Sequence, residues 1–272
     1  MDLGINGKVA LVTGGNRGIG LASALEMARE GCNVIITDKD EAGLIRAERR
    51  IRALGVKTLV VLADLEEASG ADKVVSAAFD EFGQVDILFN NAGHIHPCTT
   101  ISATDTEWES QINIHLMACV RTCRAIIPKM IEKKWGRIIN MSSTAGITPG
   151  RGVPDYSAAK AAVINYTQSI AMEFSKYGIC ATALCPGFVH TRIWEGFFHP
   201  EAPEKSNDET ENLISKSIQS LAKDVSGVKR FARPEEIGKV VTFLASESAS
   251  FVSGCTIQVD GGALAGIELK KR

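Results

Sequence analysis

The stretch "VTGGNRGIG", Val12 to Gly20, follows the apolar run "KVAL" and precedes a segment in which Leu21, Leu25 and Ala28 share one helical face. It reads as a turn from a buried strand into a helix. Glycine lacks a Cβ, so a turn rich in it can take positive φ and let a ligand lie against bare backbone. Gly14, Asn16, Arg17, Gly18, Ile19 and Gly20 would then present helix N-terminal N–H groups, and the positive end of the helix dipole, to a pyrophosphate. The spacing G-x-x-x-G-x-G departs from the commoner G-x-G-x-x-G. Taken alone, it leaves an unrelated strand-turn-helix open.

Working outward from this turn, short apolar runs recur: "NVIIT", "TLVVLAD", "VDILFNNAG", "GRIINMSS" and "ICATALCPG". Each except the last is followed by a longer amphipathic segment, as between Asp38 and Thr58, where Leu44, Ala47, Ile51 and Leu54 line one face and Glu48, Arg49, Arg50 and Arg52 the other. Continuous apolar runs of this length suit parallel strands buried on both faces, and the intervening segments suit crossover helices. The expected fold class is α/β, a Rossmann-type doubly wound parallel sheet. Asp38, Asp64 with Leu65, and "NNAG" (Asn90 to Gly93) fall at strand ends, where open α/β sheets bind ligands. Asp38 is placed to accept hydrogen bonds from an adenosine ribose and to repel a 2′-phosphate.

The chain of 272 residues, 45% hydrophobic and 23% charged, fits one large domain spanning 1–272. Residues 191–233 break the alternation with aromatic "IWEGFF" and an acidic, helix-prone tract, read as a helical substrate lid, with a subunit contact as the alternative. A net charge of −2 with dispersed Lys and Arg gives no reason to expect a nucleic-acid or anionic-membrane surface. The seven cysteines are odd in number and lack CxxC pairs, which reads as free thiols in the cytoplasm. Cys119 and Cys123 could share a helix face, but no histidine or second pair stands at zinc spacing, so no metal site is expected. No secretory pattern or apolar stretch of membrane-spanning length is present.

Tyr156 and Lys160 in "YSAAK" lie four apart and share a face if helical. An ammonium beside a phenol favours the phenolate, which equips such a tyrosine as acid or base near neutral pH. With the glycine turn, "NNAG" and "YSAAK" in this order, the sequence resembles the short-chain dehydrogenase/reductase family over nearly its whole length. The resemblance implies a catalytic set of Asn113 in "INIHL", Ser143 in "NMSSTAG", Tyr156 and Lys160. Ser143 is preferred to Ser142 because it stands at the family's spacing from the tyrosine. By the same resemblance Tyr156 exchanges a proton with the substrate oxygen, Ser143 hydrogen-bonds that oxygen, Lys160 holds the nicotinamide ribose, and Asn113 holds a water leading to solvent. Asn91, Ala92, Gly93, Pro186, Gly187, Val189 and Thr191 would join the glycine turn, Asp38, Asp64, Leu65, Tyr156 and Lys160 in binding the cofactor. "VDGG", Val259 to Gly262, resembles the family's last strand and turn.

Asp38 points to NAD rather than NADP, while Arg17 and Lys39 argue the other way. His94 and His96, after "NNAG", and Trp194 and Phe198 in the lid are candidate substrate contacts, with Phe197 beside them. They suit an apolar or ring-bearing secondary alcohol or ketone. A stripe of Val163, Thr167, Ile170 and Phe174 on the helix after Tyr156 belongs to a segment that the resemblance makes part of a dimer interface, within a homotetramer. The rival readings are an NADPH-dependent 3-oxoacyl carrier-protein reductase and a non-catalytic dinucleotide sensor. The sensor reading is disfavoured because such proteins usually lose the tyrosine or lysine kept here.

Overall fold

The structure, a computed structural model, describes residues 2–191 and 226–265. Trp194, Phe197, Phe198 and most of the 191–233 insertion lie outside the described residues.

The six apolar runs form β1 (Val9–Thr13), β2 (Asn33–Asp38), β3 (Thr58–Leu62), β4 (Ile87–Asn90), β5 (Gly136–Met141) and β6 (Ile179–Pro186), and β7 (Thr256–Val259) completes the sheet. All pair in parallel, in the order β3-β2-β1-β4-β5-β6-β7. The chain leaves β3 and crosses the sheet to β4, so the crevice between β1 and β4 is the switch point at which such sheets bind ligands. Helices α1 (Gly18–Arg29), α2 (Glu41–Arg52) and α7 (Pro234–Leu244) bury their apolar stripes on one face of the sheet, and α3 (Ala68–Phe82), α5 (Ala118–Lys133) and α6 (Pro154–Phe174) on the other. α4 (Asp105–Ile112) starts at a capping box in which Thr104 and Glu107 satisfy each other's backbone N–H.

Two details depart from expectation. Leu54 falls beyond the end of α2 and is 38% exposed, because the helix stops at Arg52 and the chain turns at Gly55, whose φ is +83°. The Val163, Thr167 and Ile170 stripe is buried within the monomer, so a subunit contact of this segment would use its other face. With α6 laid along the sheet, this is the face the monomer must cover, and Ala161, Gln168 and Met172 point outward.

On that inward face a polar ladder crosses the apolar core. Thr122 Oγ1 donates to Asn90 Oδ1 (2.8 Å), Asn90 Nδ2 to Asn140 Oδ1 (2.8 Å), and Asn140 Nδ2 to Thr167 Oγ1 (3.0 Å). The ladder ties α5 and α6 to adjacent strands, and buried amides survive there only because they are paired. Asn140→Ala removes the central rung and leaves Asn90 and Thr167 each short of a partner. It is expected to destabilise the protein by about 2–4 kcal/mol, read as a lowered urea midpoint at unchanged slope.

Candidate active site

The glycine turn is shaped by close approach. Gly14 has φ +64°, and a Cβ there would lie 2.9 Å from Ala92 Cα and from Asn91 Nδ2. A Cβ on Gly20 would stand 2.0 Å from the Gly14 carbonyl oxygen, so no side chain fits where α1 starts. Arg17, the residue capping α1, makes no side-chain capping hydrogen bond, and the first turn carries no acidic residue. Among the described residues, the first N–H groups of α1 therefore have no side-chain acceptor, which suits an incoming anion. β4 is stapled to the turn: Asn91 Nδ2 donates to the carbonyls of Thr13 (2.9 Å) and Gly14 (3.1 Å), and the Asn91 and Ala92 N–H groups donate to Thr13 Oγ1. On the far side, Thr191 approaches Gly18, the nearest atom being 3.4 Å from where a Cβ would stand. These cradles and donors fit a dinucleotide, with Pro186 ending β6, and Gly187 and Val189 following it, at the same sheet edge.

At the end of β2, Asp38 Oδ1 accepts the Asp40 N–H, and Asp40 takes Asn16 Nδ2 (3.1 Å). Burial pushes the Asp38 carboxyl above its ordinary range, partly countered by the Asp40 N–H and by Arg17. The Lys39 ammonium turns away to Asp64 (3.5 Å) and Glu66 (3.4 Å). Asp64 follows β3 by two residues rather than ending it, and Leu65 beside it is buried.

Tyr156 and Lys160 stand in the first two turns of α6, which opens with Pro154 at a position where its missing N–H costs nothing. The Lys160 ammonium lies 5.6 Å from the Tyr156 ring centroid and donates to the Met141 carbonyl (2.7 Å). The Ser143 hydroxyl, which accepts the Ala145 N–H (3.1 Å), is near enough to Tyr156 to favour its phenolate, whereas the Ser142 hydroxyl is buried and donates to the Lys160 carbonyl (2.7 Å). Burial drives the Lys160 amine down to about 8. It also pushes the Tyr156 phenol up from 10.0, only partly offset by Ser143. Desolvation of the phenolate thus outweighs the favourable contacts that the protein itself supplies.

Asn113 begins a π-helical turn (Asn113–Met117) between α4 and α5, the kind of insertion that recurs at functional sites. Its Oδ1 accepts from Arg121 Nη2 (3.2 Å). The same turn carries His115, which sequence reasoning missed. Its ring packs edge-on to Tyr156 at 5.1 Å, its Nε2 faces the His94 carbonyl (2.8 Å) and Gln111 Oε1 (3.1 Å), and burial and Lys160 hold its pKa well below the ordinary value. Gly93 makes room for it: a Cβ there would meet His115 Cε1 at 2.2 Å. Of the two predicted histidines, His94 lies against Glu66 (3.2 Å), Ser110 and Gln111, and His96 turns toward Asp155 (3.2 Å).

The short chain dehydrogenase family model matches residues 8–202, well over half of the chain. The chain belongs to the short-chain dehydrogenases. Among proteins similar to it, D-beta-hydroxybutyrate dehydrogenase of Cupriavidus necator is 35% identical over 96% of this chain and 99% of its own length. A 3-oxoacyl-[acyl-carrier-protein] reductase of Synechocystis is 33% identical over 95% and 97%. The crystal structure of L-sorbose reductase from Gluconobacter frateurii, complexed with NADPH and L-sorbose, superposes with a TM-score of 0.90 at 34% identity, covering 97% of this chain and 99% of that one. This short-chain dehydrogenase is accordingly an NAD(P)-dependent oxidoreductase of hydroxyl and keto groups. Among its described residues no helix is long and apolar enough to cross a membrane.

Proposed function

We propose that this short-chain dehydrogenase exchanges a hydride and a proton between NAD(H) and a secondary alcohol or ketone of apolar or ring-bearing type. The observation that carries the reading is the grouping of Ser143, Tyr156 and Lys160 at the carboxyl edge of the sheet that also bears the glycine turn. Bound nicotinamide supplies the hydride donor or acceptor. Tyr156 gives its phenolic proton to the carbonyl oxygen in reduction and takes one from the hydroxyl in oxidation. Ser143 donates a hydrogen bond to the same oxygen. Lys160, fixed by the Met141 carbonyl, holds the ribose hydroxyls and favours the phenolate once the site is filled, and Asn113 holds a water that links Lys160 to solvent. Gly14, Asn16, Arg17, Gly18, Ile19, Gly20, Asp64, Leu65, Asn91, Ala92, Gly93, Pro186, Gly187, Val189 and Thr191 line the proposed cofactor path.

Asp38 supports NAD over NADP. A 2′-phosphate would face its carboxylate and the neighbouring Asp40, while Lys39, the cation next in sequence, is already engaged by Asp64 and Glu66. The expected kcat/KM is at least about tenfold higher with NAD, equivalent to about 1.4 kcal/mol, and Asp38→Ser narrows the gap. Parallel steady-state assays check this, and preference for NADP in the wild-type protein overturns the assignment.

The Synechocystis relative favours a second reading, reduction of 3-oxoacyl carrier-protein thioesters, which NADPH-dependent turnover of an acyl thioester would establish. His94 and His96 border the substrate side in the first reading, and Trp194 and Phe198 would complete it. A homotetramer is proposed with the outer faces of α5 and α6 in contact, where a groove of about 290 Å³ between Ile127, Ile131, Tyr166 and Phe174 is left by the monomer. Seven unpaired thiols support a reducing compartment, the cytoplasm.

A further inference from the structure

Beside the catalytic helix, three metal-ligating side chains from distant parts of the chain converge. His96 and Cys98 come from the loop after β4, and Asp155 is the second residue of α6. One ligand atom from each lies within 4.8 Å of the others. Asp155 is 1% exposed at its side chain, with Oδ1 accepting the Tyr156 N–H (2.7 Å) and the Cys98 thiol (3.2 Å). Its second oxygen, Oδ2, has no hydrogen-bond partner among the described residues. His96 Nε2, 3.2 Å away, has none either, because the pair does not meet in hydrogen-bonding geometry. Two buried polar atoms facing each other unsatisfied carry a desolvation cost that a shared cation would remove. Glu107 Oε1 stands 3.7 Å from the same imidazole nitrogen, its other oxygen being engaged in the Thr104 cap.

We propose that His96, Cys98 and Asp155 form a divalent transition-metal site, with Glu107 or a water as fourth ligand. Ligands held about 2.0–2.3 Å from a tetrahedral zinc stand roughly 3.3–3.8 Å apart, so the observed spacings close onto an ion with small side-chain shifts. Imidazole, thiolate and carboxylate together select zinc or cobalt over calcium or magnesium. His96, 28% exposed at its side chain, gives the ion a way in. The thiol ligates as thiolate, so binding releases the Cys98 proton to solvent. Because Asp155 also accepts the Tyr156 N–H, the ion would tie the loop after β4 to the start of the catalytic helix. It is a clip on the site's wall and does not depend on which alcohol the enzyme uses.

The test is a titration of the chelator-stripped full chain with cobalt(II), followed by zinc(II) in competition with a chromogenic chelator. The expected result is one ion per chain, a tetrahedral cobalt spectrum with a thiolate-to-metal charge-transfer band, and displacement of cobalt by zinc. Cys98→Ser abolishes the band, and both Cys98→Ser and His96→Gln weaken zinc binding at least about 100-fold, with melting curves showing that the variants are folded. Absence of saturable binding, a wild-type cobalt spectrum without the thiolate band, or binding that survives both substitutions overturns the proposal. The wild-type spectrum decides even if a variant fails to fold.

Discussion

Tyr156→Phe is expected to lower kcat by about 10²–10⁴-fold while the dissociation constant of the cofactor stays close to the wild-type value. Phenylalanine keeps the ring against His115, 5.1 Å away, and beside Lys160, so packing is retained and only the proton-transfer group is lost. The loss should appear in kcat and kcat/KM together, the pattern for an interaction made only in the transition state. Stopped-flow single turnovers and fluorescence titration of the cofactor separate the two quantities. Burial around the ring favours the protonated phenol. The enzyme thus meets a ketone with the acid form in place, whereas alcohol oxidation requires the phenol to give up its proton with help from Lys160 and the filled site.

Lys160→Met is expected to abolish turnover and at the same time stabilise the cofactor-free protein by about 1–2 kcal/mol. The amine is 3% exposed and burial holds its pKa at about 8 against 10.5 in water. Keeping it charged in the fold therefore costs about 3 kcal/mol, from which the lost hydrogen bond to the Met141 carbonyl takes back part. Between about 8 and 10.5 the unfolded chain holds a proton on this lysine that the folded chain has released. Lys160's contribution to stability consequently rises with pH across that window, and its penalty is full below it. Urea unfolding of wild type and Lys160→Met at pH 7 and pH 9.5 checks both signs: the variant is more stable at the lower pH, and its advantage shrinks at the higher. A variant less stable than wild type at pH 7 would mean that the charged amine is solvated better than its burial implies.

The lysine illustrates a wider division between what the chain discloses in one dimension and what it discloses only when folded. The strands were legible because buried parallel strands need continuous apolar runs, and the glycine turn because only glycine tolerates the positive φ of Gly14 and the approach at Gly20. Tyr156 and Lys160 could be paired from their spacing alone, since helix geometry puts them on one face. By contrast, the sign of the Tyr156 shift depends on desolvation, which no local pattern reports. The α6 stripe could be found from its period, but period does not say whether the sheet or another subunit covers it. His115 is recognisable only through the π-helical turn that swings it against Tyr156. The His96, Cys98 and Asp155 cluster escaped notice for a similar reason. Only His96 and Cys98 are neighbours in sequence, and Asp155 arrives with the packing of α6 on the loop after β4. A histidine and a cysteine two apart just after "NNAG" were the one available signal.

One measurement bears on the proposed chemistry as a whole. Purified wild type and Tyr156→Phe are followed by reduced-nicotinamide absorbance with NAD and NADP in parallel, against cyclic, aromatic and acyl secondary alcohols and ketones. The expected result is turnover with NAD on at least one apolar or ring-bearing substrate that vanishes in the phenylalanine variant. Turnover persisting at the wild-type rate in Tyr156→Phe would contradict the role assigned to the phenol and with it the proposed mechanism.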